Sequence, residues 1–250
     1  VHQGDVIVPP HTFGEYAAAA SRAHRRTVET SWDSWNQPLV PGSVEFLCIP
    51  NNPTGYELSS EEVRRRVDAR SIAGSQVVLD LAYAPFLDHK VLVPEEAIVL
   101  YSPNKVHGMT GIRAAFLVAP LAAAQRLAHA APSWVTGAHG VAMLAAIYHN
   151  EAQAWVESTT AKLRQERLLL TQSLIRAGFE VKESGANFLM IRVGDAALVR
   201  STLLSQGIHV RDCSSFGLPE WIRVSAGKSE RNTALVAAMC SLREDDMWAH

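Results

Sequence analysis

Apolar positions in the first half of the chain fall into short runs set off by polar, turn-rich stretches. Those at 6–8, 44–49, 76–81, 97–101 and 115–119 predict strands. Pro9-Pro10 ends the first of them, since no central strand tolerates a proline pair. Residues 15–26 are alanine-rich and predict a helix. Ser59 with Glu62 has the spacing of a capping box, which starts a second helix over 60–70. The stretch Pro50-Asn51-Asn52-Pro53-Thr54-Gly55 is a dense turn signal. Apolar runs that alternate with helices and end in turns predict an α/β sheet covered on both faces.

The texture changes after Leu121. Residues 120–131 are again alanine-rich, and 134–173 form a long helical pattern broken near Asn150. Beyond Gly178 the pattern predicts strands at 179–181, 188–191, 208–210 and 221–224, with helices over 196–206 and 229–242. This reads as a smaller βαβ-like unit joined to the first by the long helix. Three regions follow: a large domain over 1–133, an interdomain helical region over 134–173 and a small C-terminal domain over 174–250.

Composition narrows the choice of function. Of 250 residues, 48% are apolar and 19% charged, enough to build a sizeable core, and the net charge of −2 offers no broad attraction to nucleic acid or membrane. No apolar run approaches the length needed to span a bilayer. Cys48, Cys213 and Cys240 are odd in number, far apart and in no metal-ligand spacing, which suits a reducing cytoplasmic setting. His107, His139 and His149 stand alone and read as structural.

Candidate chemistry collects at the ends of predicted strands, where open α/β sheets gather ligand-binding groups. These candidates are Asn52 in the turn after 44–49, Asp80 with Tyr83, Ser102 with Lys105, and Arg113. A carboxylate such as Asp80 inside an apolar strand is costly unless it meets a cation or a donor. Lys105 lies in a glycine-punctuated loop with Arg113 eight residues on. A covalently reacting lysine beside a phosphate-binding arginine is one chemistry that uses both. A surface turn with two ordinary basic residues gives the same local pattern; taken singly, Tyr83 and Phe13 read first as core aromatics, and Phe216 reads as core in any case.

Taken together and in order, these motifs resemble the fold-type I pyridoxal-phosphate enzymes, the class I/II aminotransferases. The strongest likeness is to the histidinol-phosphate aminotransferase family, and it covers nearly the whole chain, from Gly4-Asp5 to Arg223-Val224-Ser225. The resemblance implies a pyridoxal-phosphate-binding large domain with a mostly parallel sheet and a smaller α+β C-terminal domain. It implies pyridoxal 5′-phosphate as cofactor and Lys105 as the Schiff-base lysine, which also moves the proton at the substrate Cα. Asp80 then faces the pyridine nitrogen, and Asn52 and Tyr83 hydrogen-bond the ring oxygen. Ser102 and Arg113 grip the phosphate, Phe13 stacks on the ring, and Arg223 pairs with the substrate carboxylate. The implied substrates are an amino acid or amino alcohol phosphate and a 2-oxo acid, and the implied assembly is a cytoplasmic homodimer.

This chain departs from the family pattern in three places. The residue before the lysine, often serine in the family, is Asn104, which removes one expected phosphate contact. Phe13 stands where a tyrosine is usual. The chain opens at Val1 in what reads as the middle of the large domain, so the family's N-terminal part is expected to be missing here. Two other readings stay open. One keeps the cofactor and decarboxylates a substrate such as threonine phosphate, and 210–219 is compatible with that branch. The other is a truncated or catalytically silent aminotransferase-like domain that binds ligand for regulation.

Overall fold

A computed structural model of the chain describes residues 4–33 and 40–244. Val1, where the sequence reading began the first domain, and residues 245–250 at the end of the last lie outside the described residues. The elements in chain order are β1 (Val6–Val8), α1 (Glu15–Arg22), β2 (Thr27–Glu29), β3 (Val44–Cys48), α2 (Ser60–Ile72), β4 (Gln76–Asp80), β5 (Ile98–Tyr101), β6 (Phe116–Val118), α3 (Leu121–Ala130), α4 (Ala138–Ala146) and α5 (Asn150–Arg176). They continue with β7 (Val181–Lys182), β8 (Phe188–Arg192), α6 (Ala196–Ser205), β9 (Arg211–Asp212), β10 (Trp221–Ser225) and α7 (Ser229–Glu244).

β1 to β6 form one sheet in the order β2-β1-β3-β4-β5-β6. All its pairings are parallel except that of β5 with β6. Alternate residues of a strand face opposite sides of a sheet, so two cores follow from the strand sequences. Leu47, Val77, Leu79 and Val99 turn to the side covered by Val63 and Val67 of α2. Val6, Val8 and Cys48 meet Tyr16 and Ala20 of α1 on the opposite side, where Val78 and Ile98 meet Ala123 of α3. Ser59 caps α2 in the capping box expected from its spacing with Glu62.

The helix expected over 15–26 ends at Arg22, because His24 takes a left-handed φ of 52° and turns the chain into β2. That edge strand, Thr-Val-Glu, carries almost no apolar signal, and the sequence reading passed over it. The long helical pattern is two helices, α4 and α5, with the break at 147–149, just before Asn150 opens α5.

The second sheet, β7-β8-β10-β9, is antiparallel throughout. This corrects the βαβ-like reading. β8, α6 and β9 do follow in that order, and β8 and β9 run the same way, but β10 lies between them and pairs antiparallel with both. The strand expected at 208–210 falls instead at Arg211–Asp212. Ile208 and Val210 pack against the core of this unit, which is built from Leu189, Ile191, Ile222 and Val224 with Leu170 and Leu174 of α5 and Met239 of α7. Phe216, expected in the core, is half-buried beneath the Arg211 guanidinium, 5.3 Å from its ring centre.

One polar contact is set deep in the first sheet. Glu45 of β3 is 1% exposed and accepts from Arg66 Nη1 at 3.0 Å and Arg70 Nε at 2.6 Å, both on α2. Removing one member of such a buried cluster is strongly destabilising. Glu45→Ala is therefore expected to cost about 3–5 kcal/mol, read as a lower midpoint in chemical denaturation. An unchanged midpoint would show that the cluster does not hold α2 to β3.

Candidate active site

Parallel strands deliver their C-terminal ends to one edge of the sheet, and the candidate residues follow directly from those ends. β1 leads to Thr12 and Phe13, β3 to Asn51 and Asn52, β4 ends at Asp80, and β5 leads to Ser102 and Lys105. In register, Cys48 lies beside Asp80, so these two side chains share the face covered by α1. Asp80 is satisfied there. Tyr16 of α1 donates its hydroxyl to Asp80 Oδ2 at 2.6 Å, and the Ala82 amide donates to Oδ1 at 2.9 Å.

Burial and the neighbouring carboxylate act on both companions of Asp80. The Cys48 thiol, fully buried and donating to the Pro50 carbonyl at 3.3 Å, is pushed up to about 12, first by burial and then by the Asp80 charge. Tyr16 is raised far above the ordinary phenol value, first by burial and then by Cys48 and Asp80. It is a neutral donor at any working pH. The Lys105 ammonium acts on Cys48 in the opposite sense, lowering it.

Lys105 Nζ reaches Ser102 Oγ at 3.5 Å and lies 5.2 Å from the centre of the Tyr83 ring. Tyr83 in turn meets the second sheet. Phe188 of β8, fully buried, packs edge-on against its ring at 5.0 Å. Phe188, Met190 and Arg223 share one face of that sheet by register, and Arg223 lies 4.9 Å over Phe188. The Arg223 guanidinium donates to Asn52 Oδ1, and its charge acts on the Tyr83 hydroxyl. Burial raises Tyr83 above the usual phenol range, with the Arg223 charge opposing.

The structure therefore brings Asp80, Lys105, Ser102, Tyr83, Asn52 and Arg223 together. Two expected residues stand at the margin. Phe13 is 39% exposed and meets the Tyr16 ring edge-on at 5.5 Å. Arg113 is exposed, at a left-handed φ of 60°, with its guanidinium on the Thr110 carbonyl of its own loop at 3.2 Å.

Sequence reasoning missed Tyr16, Asn51 and the role of Asn104. Tyr16 had a signal: a single large aromatic in an alanine run must face the core, and Ala20, four residues on, is the other buried residue of α1. Asn51, with no exposed surface, bonds the His11 carbonyl at 3.0 Å, the Thr54 hydroxyl at 2.7 Å and the Thr12 hydroxyl at 2.7 Å. It fixes the turn that carries Asn52 to the loop that carries Phe13. Gly55 closes that turn at φ 70°, where a Cβ would stand 2.2 Å from Ser184, so the turn touches the connection between β7 and β8.

Asn104 is 5% exposed and joins the two ends of the lysine loop. Its Oδ1 accepts from the Ala114 amide at 3.0 Å, and its Nδ2 donates to the Ala114 carbonyl and to Ser102 Oγ at 3.2 Å. The amide that replaces the family's serine is thus committed to the loop itself.

Residues 3–239 match the aminotransferase class I and II family. A histidinol-phosphate aminotransferase of Symbiobacterium thermophilum is 32% identical over 256 residues, covering 94% of this chain and 68% of that protein. Among solved structures, the histidinol-phosphate aminotransferase of Sinorhizobium meliloti in complex with pyridoxal-5′-phosphate superposes with a TM-score of 0.83 at 21% identity, over 98% of this chain and 72% of that one. The L-threonine-O-3-phosphate decarboxylase of Porphyromonas gingivalis does so with a TM-score of 0.85 at 23% identity, over 97% and 78%. The chain belongs to the aminotransferase class I and II family, which depends on pyridoxal 5′-phosphate. The donor set fits that cofactor, with an acid, an amine, a hydroxyl, an amide and a phenol converging at the strand ends.

Truncation of Asn104 leaves the buried Ala114 amide and carbonyl without partners, which costs about 1–3 kcal/mol. Asn104→Ala should lower the denaturation midpoint by that amount and expose 105–113 to limited proteolysis. A loop as resistant as the original would mean that other contacts close it.

Proposed function

We propose that this chain is an aminotransferase that moves the amino group of an amino acid or amino alcohol phosphate, of the histidinol-phosphate kind, to a 2-oxo acid. The observation that carries the reading is the convergence of Asp80, Lys105, Tyr83, Asn52 and Arg223 at one edge of the sheet. The 32% identity to the histidinol-phosphate aminotransferase of Symbiobacterium thermophilum supports the substrate class.

The bound cofactor supplies an electron sink for the pair left behind when a bond to the substrate Cα breaks. In this reading Asp80 would supply the negative charge for the ring nitrogen. Lys105 would hold the cofactor, and its amine would serve as the base for the proton on the substrate Cα. Asn52 and Tyr83 would hold the ring oxygen, Ser102 and Arg113 the phosphate, and Phe13 one ring face. Arg223 offers the substrate carboxylate a two-pronged partner and so orients the Cα bonds. A carboxylate arriving at Arg223 meets a guanidinium already aligned by Asn52. Phe188 beneath it excludes water from that side. The reading carries with it a homodimer in the cytoplasm, supported by the family resemblance and by three free cysteines. Among the described residues no helix is long and apolar enough to cross a membrane.

Mixing the protein with pyridoxal 5′-phosphate should give a visible absorbance band that survives gel filtration, and Lys105→Ala should lose it. Histidinol phosphate and 2-oxoglutarate should then yield glutamate with no carbon dioxide. Carbon dioxide released from threonine phosphate would replace transamination with decarboxylation. A protein that stays colourless would favour a silent binding domain.

A further inference from the structure

We infer that Tyr16 is a positioning residue for the cofactor's ring nitrogen, acting through the Asp80 carboxylate. This rests on the proposed function. A carboxylate at the end of a strand can rotate, and only some of its lone pairs can face a ring nitrogen at any one setting. Here each oxygen has one donor from the protein: Tyr16 on Oδ2 at 2.6 Å and the Ala82 amide on Oδ1 at 2.9 Å. The two hold the carboxylate plane from opposite ends, one through a helix and one through the strand's own continuation.

Tyr16 is itself rigidly set. It is 5% exposed, stacks on Phe46 of β3 at 4.8 Å with planes 15° apart, and meets Phe13 edge-on. Apolar contacts explain the ring but not the hydroxyl, which projects among Asp80 and Cys48. A phenyl ring would fill the same space, so the oxygen is there for the carboxylate. A hydrogen bond to a charged group is worth more than one between neutral groups, and here it is donated by a phenol that stays protonated. Tyr16 also links two expected contacts of one ring, since the same side chain that holds Asp80 supports Phe13.

The test compares pyridoxal 5′-phosphate with its carbocyclic analogue, in which a C–H replaces the ring nitrogen, by equilibrium titration of the cofactor-free protein. Tyr16→Phe is expected to bind pyridoxal 5′-phosphate about tenfold more weakly while holding the analogue to within about twofold of the original protein. Tyr16→Phe keeps both ring contacts, and its thermal midpoint reports whether the fold is intact. Tyr16→Met, an adaptable apolar side chain of similar reach, is the second variant should phenylalanine pack badly. Equal weakening toward both compounds would make Tyr16 a packing residue only and overturn the inference, as would no weakening toward either. If the unaltered protein takes up neither compound, the cofactor reading itself fails, an outcome distinct from a Tyr16 that binds both compounds unchanged.

Discussion

A carboxylate cannot end a buried strand unless donors meet it there, and the arrangement around Asp80 answers to that constraint. β4 is covered on both faces, so its last residue emerges into a space already walled by α1 and by the turn after β3. Tyr16 comes from the helix after β1, and Cys48 lies beside Asp80 because β3 and β4 are parallel and in register. Three separate pieces of the chain, α1, β3 and the continuation of β4, thus supply one acid with its surroundings. The same parallel geometry brings Lys105 in from β5, since parallel neighbours place their exits at the same edge.

Much of this was legible in the sequence, and the reasons differ from element to element. The central strands were visible as apolar runs because both of their faces are covered, with Glu45 the one charge inside β3. Asp80 stood out because it is a charge within such a run. β2 was invisible because an edge strand of Thr-Val-Glu needs little apolar surface. The order of the second sheet could not be read, because inserting β10 between β8 and β9 is a choice of partner that leaves no mark on any one strand's pattern. Hydrogen bonds across long separations, such as Tyr16 to Asp80 or Arg223 to Asn52, were equally hidden until the fold set the distances.

The two sheets meet through a small set of contacts, each with a chemical group at its end. Phe188 presses edge-on against Tyr83, Arg223 bridges to Asn52, and Gly55 admits Ser184 where any side chain would collide. The second sheet therefore presents one face to its own core and the other, through Phe188 and Arg223, to the first sheet. An apolar pattern identifies both as buried without saying which neighbour each will find.

Asn104 closes the neck of the segment that runs from Lys105 to Arg113. With its two ends tied at Ala114, that segment behaves as an eyelet whose rim is laced back to its base: the Gly108 amide donates to the Lys105 carbonyl at 3.2 Å and the Met109 amide to the Asn104 carbonyl at 2.8 Å. A change at Gly108 or Met109 is therefore felt at Lys105 through the backbone. What the loop presents to the outside and where it holds the amine are set together.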